Sequence, residues 1–252
     1  MRIVSVGQVV FATVLVAFGV IGLVQGDFTA PWVPVAEDLP GRALLVYVCA
    51  AILVATGAGL LLRRGASAAA GVLLASLLLW TLVFRVREIV KAPGEFGSWD
   101  GCAELLVSVA AAWALYAQLA ARPRFATGAT GVRIARTLYG LAMIPFGLAH
   151  YIYPNETITL IPDYVPAHRA VAYLTGTAFL AAGVAIVTGV WARLAAALSV
   201  VQIGLFTILV WIPRLIEGSL SEFQRTEFAV SIALTAAGWV VADSYRSVRA
   251  RG

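Results

Sequence analysis

Charge is the scarcest resource in this chain. Only 12% of its 252 residues are Asp, Glu, Lys or Arg, against about 25% in soluble domains. Cysteine is nearly absent, with two residues, and so is histidine, also with two. Cys49 and Cys102 form no Cys-x-x-Cys pair. That argues against a dithiol redox enzyme, which needs an attacking and a resolving thiol side by side. Both read as small apolar packers. No His and Cys cluster has metal-ligand spacing, so no metal site is expected. Haem is not expected either, because His150 has no obvious second axial partner and His168 falls in a loop. No glycine-rich phosphate loop follows a strand, because no stretch alternates as a strand does.

What fills the chain instead is hydrocarbon. Hydrophobic residues make up 61% and the mean hydropathy is +0.91. Runs of about 18 or more apolar residues read as membrane spans. Ile3–Gly26, Ala43–Leu62, Gly65–Phe84, Ala170–Ala192 and Leu194–Pro213 carry no charge. Leu105–Ala121 and Thr137–Tyr153 are slightly shorter, and Phe228–Ala242 is the shortest, flanked by side chains that can snorkel. The runs are continuous rather than alternating, which favours helices over a barrel. The expected fold is therefore all-α, with eight transmembrane helices. A cleaved signal peptide at Arg2 is the weaker reading of the N-terminus, because its apolar run exceeds the roughly 7–15 residues of such a segment.

The few charges that exist are sorted by side. Eleven basic residues fall at the N-terminus, the even-numbered loops and the C-terminal tail: Arg2, Arg63, Arg64, Arg122, Arg124, Arg133, Arg136, Arg193, Arg246, Arg249 and Arg251. The opposite side holds seven: Arg42, Arg85, Arg87, Lys91, Arg169, Arg214 and Arg225. It also holds every acid except Asp243. The positive-inside rule places both termini in the cytoplasm. The pI near 9.6 then reflects topology and lipid headgroups, and nucleic acid is not an expected partner. The lipid bilayer is.

The chain also repeats itself. Pro40, Tyr47 and Gly57 match Pro166, Tyr173 and Gly183 at one spacing, 126. Gly22-Leu23 matches Gly147-Leu148, Arg87 matches Arg214, and Glu104 matches Glu227 with small drifts. Four spans per unit return the chain to its starting side, so the units share one orientation, a parallel repeat. The expected division is 1–122 and 135–243 as four-helix units, 123–134 as a cytoplasmic linker and 244–252 as a basic tail. Ala55-x-x-x-Gly59 and Ala181-x-x-x-Ala185 are candidate small-residue packing seams. The outer loops carry Pro31, Pro34, Pro40, Pro154, Pro162 and Pro166, pointing to a short structured cap with Trp32 and Tyr164 as headgroup anchors.

FGLAHYIYP, LIPDYVP, AYLTGTAFLAAGVAIVTG, the WIPR ending the seventh span and the Glu opening the eighth make the second half similar to the DoxX-like family of bacterial four-helix membrane proteins. IGLVQGDF, DLPGR and VYVCAAILVATGAGLLL make the first half resemble a diverged copy, with Gln25 where the second has His150. The resemblance implies a multi-pass protein of the bacterial cytoplasmic membrane. It further implies an accessory subunit of a membrane redox assembly, with protein partners there and a quinone as the cofactor to test.

The candidate ligand-binding residues are His150, Arg169, Tyr173, Trp211, Arg214, Glu227, Arg87 and Glu104. Histidine titrates near neutral pH and could relay a proton. An ionisable group at membrane depth is costly and finds a partner. The expected arrangement sets Arg87 and Arg214 against Glu104 and Glu227 at the outer mouth of each unit, with Trp80, Trp211 and Tyr173 as apolar walls; Arg85, one residue beyond Phe84, is a second arginine that could point inward. No nucleophile–base constellation is readable, so no catalytic residue is assigned. Three functions stay open: a quinone- or lipid-binding redox subunit, a binding or transport protein for a small amphipathic solute, and an assembly partner without ligand.

Overall fold

The structure is a computed structural model that describes residues 5–62, 64–120 and 125–246. Arg2, Arg63, Arg122, Arg124, Arg249 and Arg251 of the charge map lie outside the described residues. The described chain is all-helical, in the order α1 (Val6–Gln25), α2 (Arg42–Leu61), α3 (Ala66–Trp80), α4 (Val86–Lys91), α5 (Phe96–Leu119), α6 (Gly128–Ile152), α7 (Pro154–Leu160), α8 (His168–Thr188), α9 (Ala192–Phe206), α10 (Ile212–Ile216) and α11 (Glu222–Ser244). Two π-helical turns, Thr81–Arg85 and Thr207–Trp211, join α3 to α4 and α9 to α10 without a break. The resulting rods are Ala66–Lys91 and Ala192–Ile216.

Among the described residues, seven rods are long and apolar enough to cross a membrane. α6 is long enough at 25 residues but more polar, with Arg133 and Arg136 inside it. Leu79, Leu82, Leu174 and Ile216 are each more than 60% exposed. In water such a surface would be a large exposed apolar patch; in a bilayer it is the surface that lipid covers. The architecture is that of a multi-pass helical membrane protein.

Two helix starts differ from the sequence expectation. The fourth span begins at Phe96 rather than near Leu105, and the fifth at Gly128 rather than near 135–137. Polar residues extend a helix beyond its apolar run without changing its backbone, so hydropathy sets these ends poorly. The consequence is that Glu104 lies about two turns inside α5, and Glu227 beyond the first turn of α11. Neither carboxylate therefore sits where the helix dipole acts, within the first turn. Ser221 and Gln224 form the capping box of α11 instead.

α1 packs along α2, α2 on α3, α3 on α5, α5 on α11 and α11 back on α1. α5 also packs on α6, α6 on α8, α8 on α9 and α9 on α11. These are two five-membered rings of helices that share the α5–α11 edge. The shared helices are the most enclosed: 67% of the apolar window of α5 and 56% of that of α11 are buried, against 33–44% for the other five rods.

The tightest seams are α1–α2 and α6–α8. A Cβ on Gly57 would lie 2.7 Å from the Ala12 carbonyl oxygen, and one on Gly183 would lie 2.8 Å from that of Gly140. Small residues permit this approach in lipid. Ala55 and Ala181 are exposed, so the close contacts run through Gly57 and Gly183 rather than through those two alanines.

The start of α1 and the end of α11 meet. The buried Asp243 carboxylate accepts the Gly7 backbone N–H at 3.0 Å, in the first turn of α1, and pairs with Arg246 at 3.3 Å. Arg136 of α6 donates to the Ser244 carbonyl at 2.6 Å and to its hydroxyl at 3.0 Å. Its guanidinium lies 3.8 Å over the Tyr245 ring. An anion at a helix start and a cation at a helix end both complement the helix dipole.

Candidate functional site

The α1–α2 loop folds inward. Trp32 is 1% exposed, so it is a core residue and not the headgroup anchor expected of it; Tyr164, 70% exposed, does face outward. Trp32 and Trp80 meet edge to face at 5.0 Å, Phe28 and Phe84 flank Trp80 at 5.6 and 4.2 Å, and the Trp80 indole donates to the Trp32 carbonyl at 3.1 Å. This aromatic plug fixes the loop over the C-terminal end of α3 and the N-terminal parts of α5 and α11.

The π-helical turn follows directly. Such turns widen a helix by one residue and frequently occur at functional sites. Here the turn aims Arg85 inward, where it is buried and donates to the Val33 carbonyl of the loop. Gly101 of α5 lies beside the Arg85 guanidinium, where a Cβ would stand in ordinary contact at 3.5 Å. Arg87, two residues on, is exposed. Arg85 therefore takes the place expected of Arg87.

Arg85 shares a small cavity with Glu104 and Ser108 of α5, Val230 and Leu234 of α11, and Pro31 and Val33 of the loop. Glu104 also interacts electrostatically with Glu227 and Asp100 as well as with Arg85. Asp100 and Glu104 are four residues apart, hence on one face of α5. Glu104 is thus the common member: it feels Arg85 as well as Asp100 and Glu227, while those two carboxylates do not line the cavity. The space open to a water centre is about 10 Å³, about one water molecule. Trp32 Nε1, Arg85 Nε and Asp100 Oδ1 are buried without a protein partner. Buried polar atoms are almost always paired, so this end of the molecule is rich in unused hydrogen-bonding capacity.

The remaining candidates lie elsewhere. At the spacing of 126 from Arg85 stands Trp211, buried, its indole donating to Ser231 at 3.1 Å. Arg214 donates to the Thr159 carbonyl at 3.0 Å and lies 5.9 Å from the Trp211 ring. No Arg214–Glu217 ion pair forms among the described residues, which hold three ion pairs: Arg42–Asp27, Lys91–Glu88 and Arg246–Asp243. His150 bonds through Nδ1 to the Phe146 carbonyl at 2.7 Å and lies 5.7 Å from Phe179. Tyr173 stacks on Tyr151 at 5.3 Å, and Arg169 is exposed. Thus only Glu104 of the eight candidates lines the cavity, with Glu227 in its electrostatic reach.

Asp100 and Ser108 were not singled out from the sequence, although their spacing of four residues on either side of Glu104 offered a signal. Thr81 and Thr207, both opening π-helical turns, are also 126 apart. No group of three or more His, Cys, Asp or Glu residues among those described is placed to hold a metal ion. No family model matches the chain, and no curated protein or solved structure matches it either.

Proposed function

We propose that the chain is a DoxX-like protein of two tandem four-helix repeats and eight spans, with both termini in the bacterial cytoplasm. In this reading it is the ligand-binding subunit of a membrane redox system, holding a quinone headgroup at the outer end. The observation that carries the reading is a buried donor, Arg85, and a half-buried acceptor, Glu104, facing one cavity beneath an aromatic plug. A quinone carbonyl accepts from a guanidinium, and a quinol hydroxyl donates to a carboxylate. His150, Arg169, Tyr173, Trp211, Arg214 and Arg87 become supporting positions outside the headgroup contact. Opening the cavity for a ring requires the loop around Pro31 and Val33 to move.

A second reading is an assembly partner without ligand, favoured by how little space the cavity offers. Thermal unfolding of the purified protein separates them. The measurement uses wild type, Arg85→Gln and Glu104→Gln, each with and without a short-chain quinone. A quinone at 100 times its dissociation constant stabilises by about 2.7 kcal/mol. The expected result is a shift in wild type that both variants lose. A shift with an amphipathic amine but not with quinone would move the site to solute binding. No shift with either would leave the assembly role.

A further inference from the structure

At the opposite end of the molecule, a groove of about 1090 Å³ runs along the packed seam of α9 and α11. Its floor is a single stripe of each helix. Arg193, Ala197, Gly204 and Ile208 line it from the α9 rod, and Thr235, Trp239 and Arg246 from the α11 side. Small residues hollow it out. A Cβ on Gly204 would already approach the Thr235 methyl at 3.4 Å. From Arg193 to Ile208 the groove runs roughly 22 Å along the rod, longer than one leaflet of about 15 Å.

Its mouth is basic. Arg193 is exposed and makes no ion pair among the described residues. Arg246 is 70% exposed at its side chain. The one acid lining the mouth, Asp243, is 6% exposed and already engaged by the Gly7 N–H and Arg246. Trp191 sits at the rim, 80% exposed, with its backbone in the left-handed region at φ 50°. That conformation is unfavourable for a bulky residue, and an exposed tryptophan at the end of a span suits contact with headgroups.

The groove is not a necessary product of the helix packing. At a spacing of 126 from Gly204 stands Leu78, packed against the core. In that half, Tyr116 of α5 lies against Gly71, with 3.2 Å left for a Cβ.

We propose that the α9–α11 groove is a binding site for one anionic phospholipid, with its phosphate on Arg193 and Arg246 and an acyl chain along Gly204. The cationic mouth complements a phosphate, and an apolar channel longer than a leaflet suits a chain rather than a compact solute.

The test is native mass spectrometry of the full chain in non-ionic detergent, with equal amounts of phosphatidylglycerol and phosphatidylcholine. Wild type is expected to retain one phosphatidylglycerol in preference to phosphatidylcholine. Arg193→Gln should lower that preference about fivefold, and Arg193→Lys should keep it. Gly204→Phe should abolish retention of both lipids. Ala197→Leu, on the exposed stripe of α9, repeats the filling without disturbing the Gly204–Thr235 contact. Equal retention of the two lipids, or retention unchanged in the filling variants, overturns the proposal. So does a dimer mass that disappears in those variants, which would assign the groove to a second copy of the chain.

Discussion

Asp243 shows how much one side chain can decide in an apolar molecule. It was distinguished in the sequence only as the single acid on the basic side. In the structure it ties the end of α11 to the start of α1. Asp243→Ala should destabilise the protein by about 1 kcal/mol, as for loss of a helix-start acceptor, which corresponds to a fall of roughly 2–4 °C in the unfolding midpoint. Gly7→Ala should cost more, about 1–3 kcal/mol. Its Cβ would meet the Trp239 and Val240 backbone at 3.0 Å as well as the carboxylate at 2.9 Å, and backbone cannot rotate away. Equal midpoints for wild type and both variants would remove this account of the joined ends. Arg85 makes the same point at the other end: it and Arg87 are alike in sequence, and only the π-helical turn decides which is buried.

Among the elements, the paired seams α1–α2 and α6–α8 depend on glycine rather than on the more conspicuous small-xxx-small spacing. Gly57→Ala and Gly183→Ala should each lower stability by about 1–3 kcal/mol, because carbonyl oxygens stand 2.7 and 2.8 Å from the added carbon. Ala55→Val, at an exposed position, should stay within about 0.5 kcal/mol of wild type. Midpoints measured by thermal scan in detergent check the ordering; a costlier Ala55→Val would return the seam to the 55–59 stripe. The glycines were legible as part of the repeat, since Gly57 and Gly183 share the spacing of 126. Their neighbours were not, because spacing along one helix does not say which face meets a partner.

For the whole molecule, the two halves share helices. α1 packs on α11 and α6 on α5, so each half leans on the other's last helix. Fragments 1–122 and 123–252 expressed separately should be unstable, and co-expressed they should co-purify through the α5–α11 edge. Stable, monodisperse single fragments would show that each four-helix unit closes by itself. The repeat in the sequence led to an expectation of two units with two equivalent Arg–Glu clusters. Instead, Glu104 and Glu227 belong to the two shared helices and lie within electrostatic reach of each other, with Arg85 near Glu104.

The sequence alone determined the class of the molecule. Continuous apolar runs satisfy their own backbone hydrogen bonds as helices, and the scarcity of charge leaves lipid as the surroundings. Those properties are local and additive along the chain. The site was a tertiary decision. Which of Arg85 and Arg87 turns inward depends on a π-helical turn, whose extra residue per turn rotates every later side chain. Whether Trp32 anchors in headgroups or fills the core depends on the fold of its loop. Whether Glu227 meets Arg214 or Glu104 depends on which helices become neighbours across the rings. None of these follows from hydropathy or spacing, because burial of a polar side chain is set by the partners that surround it.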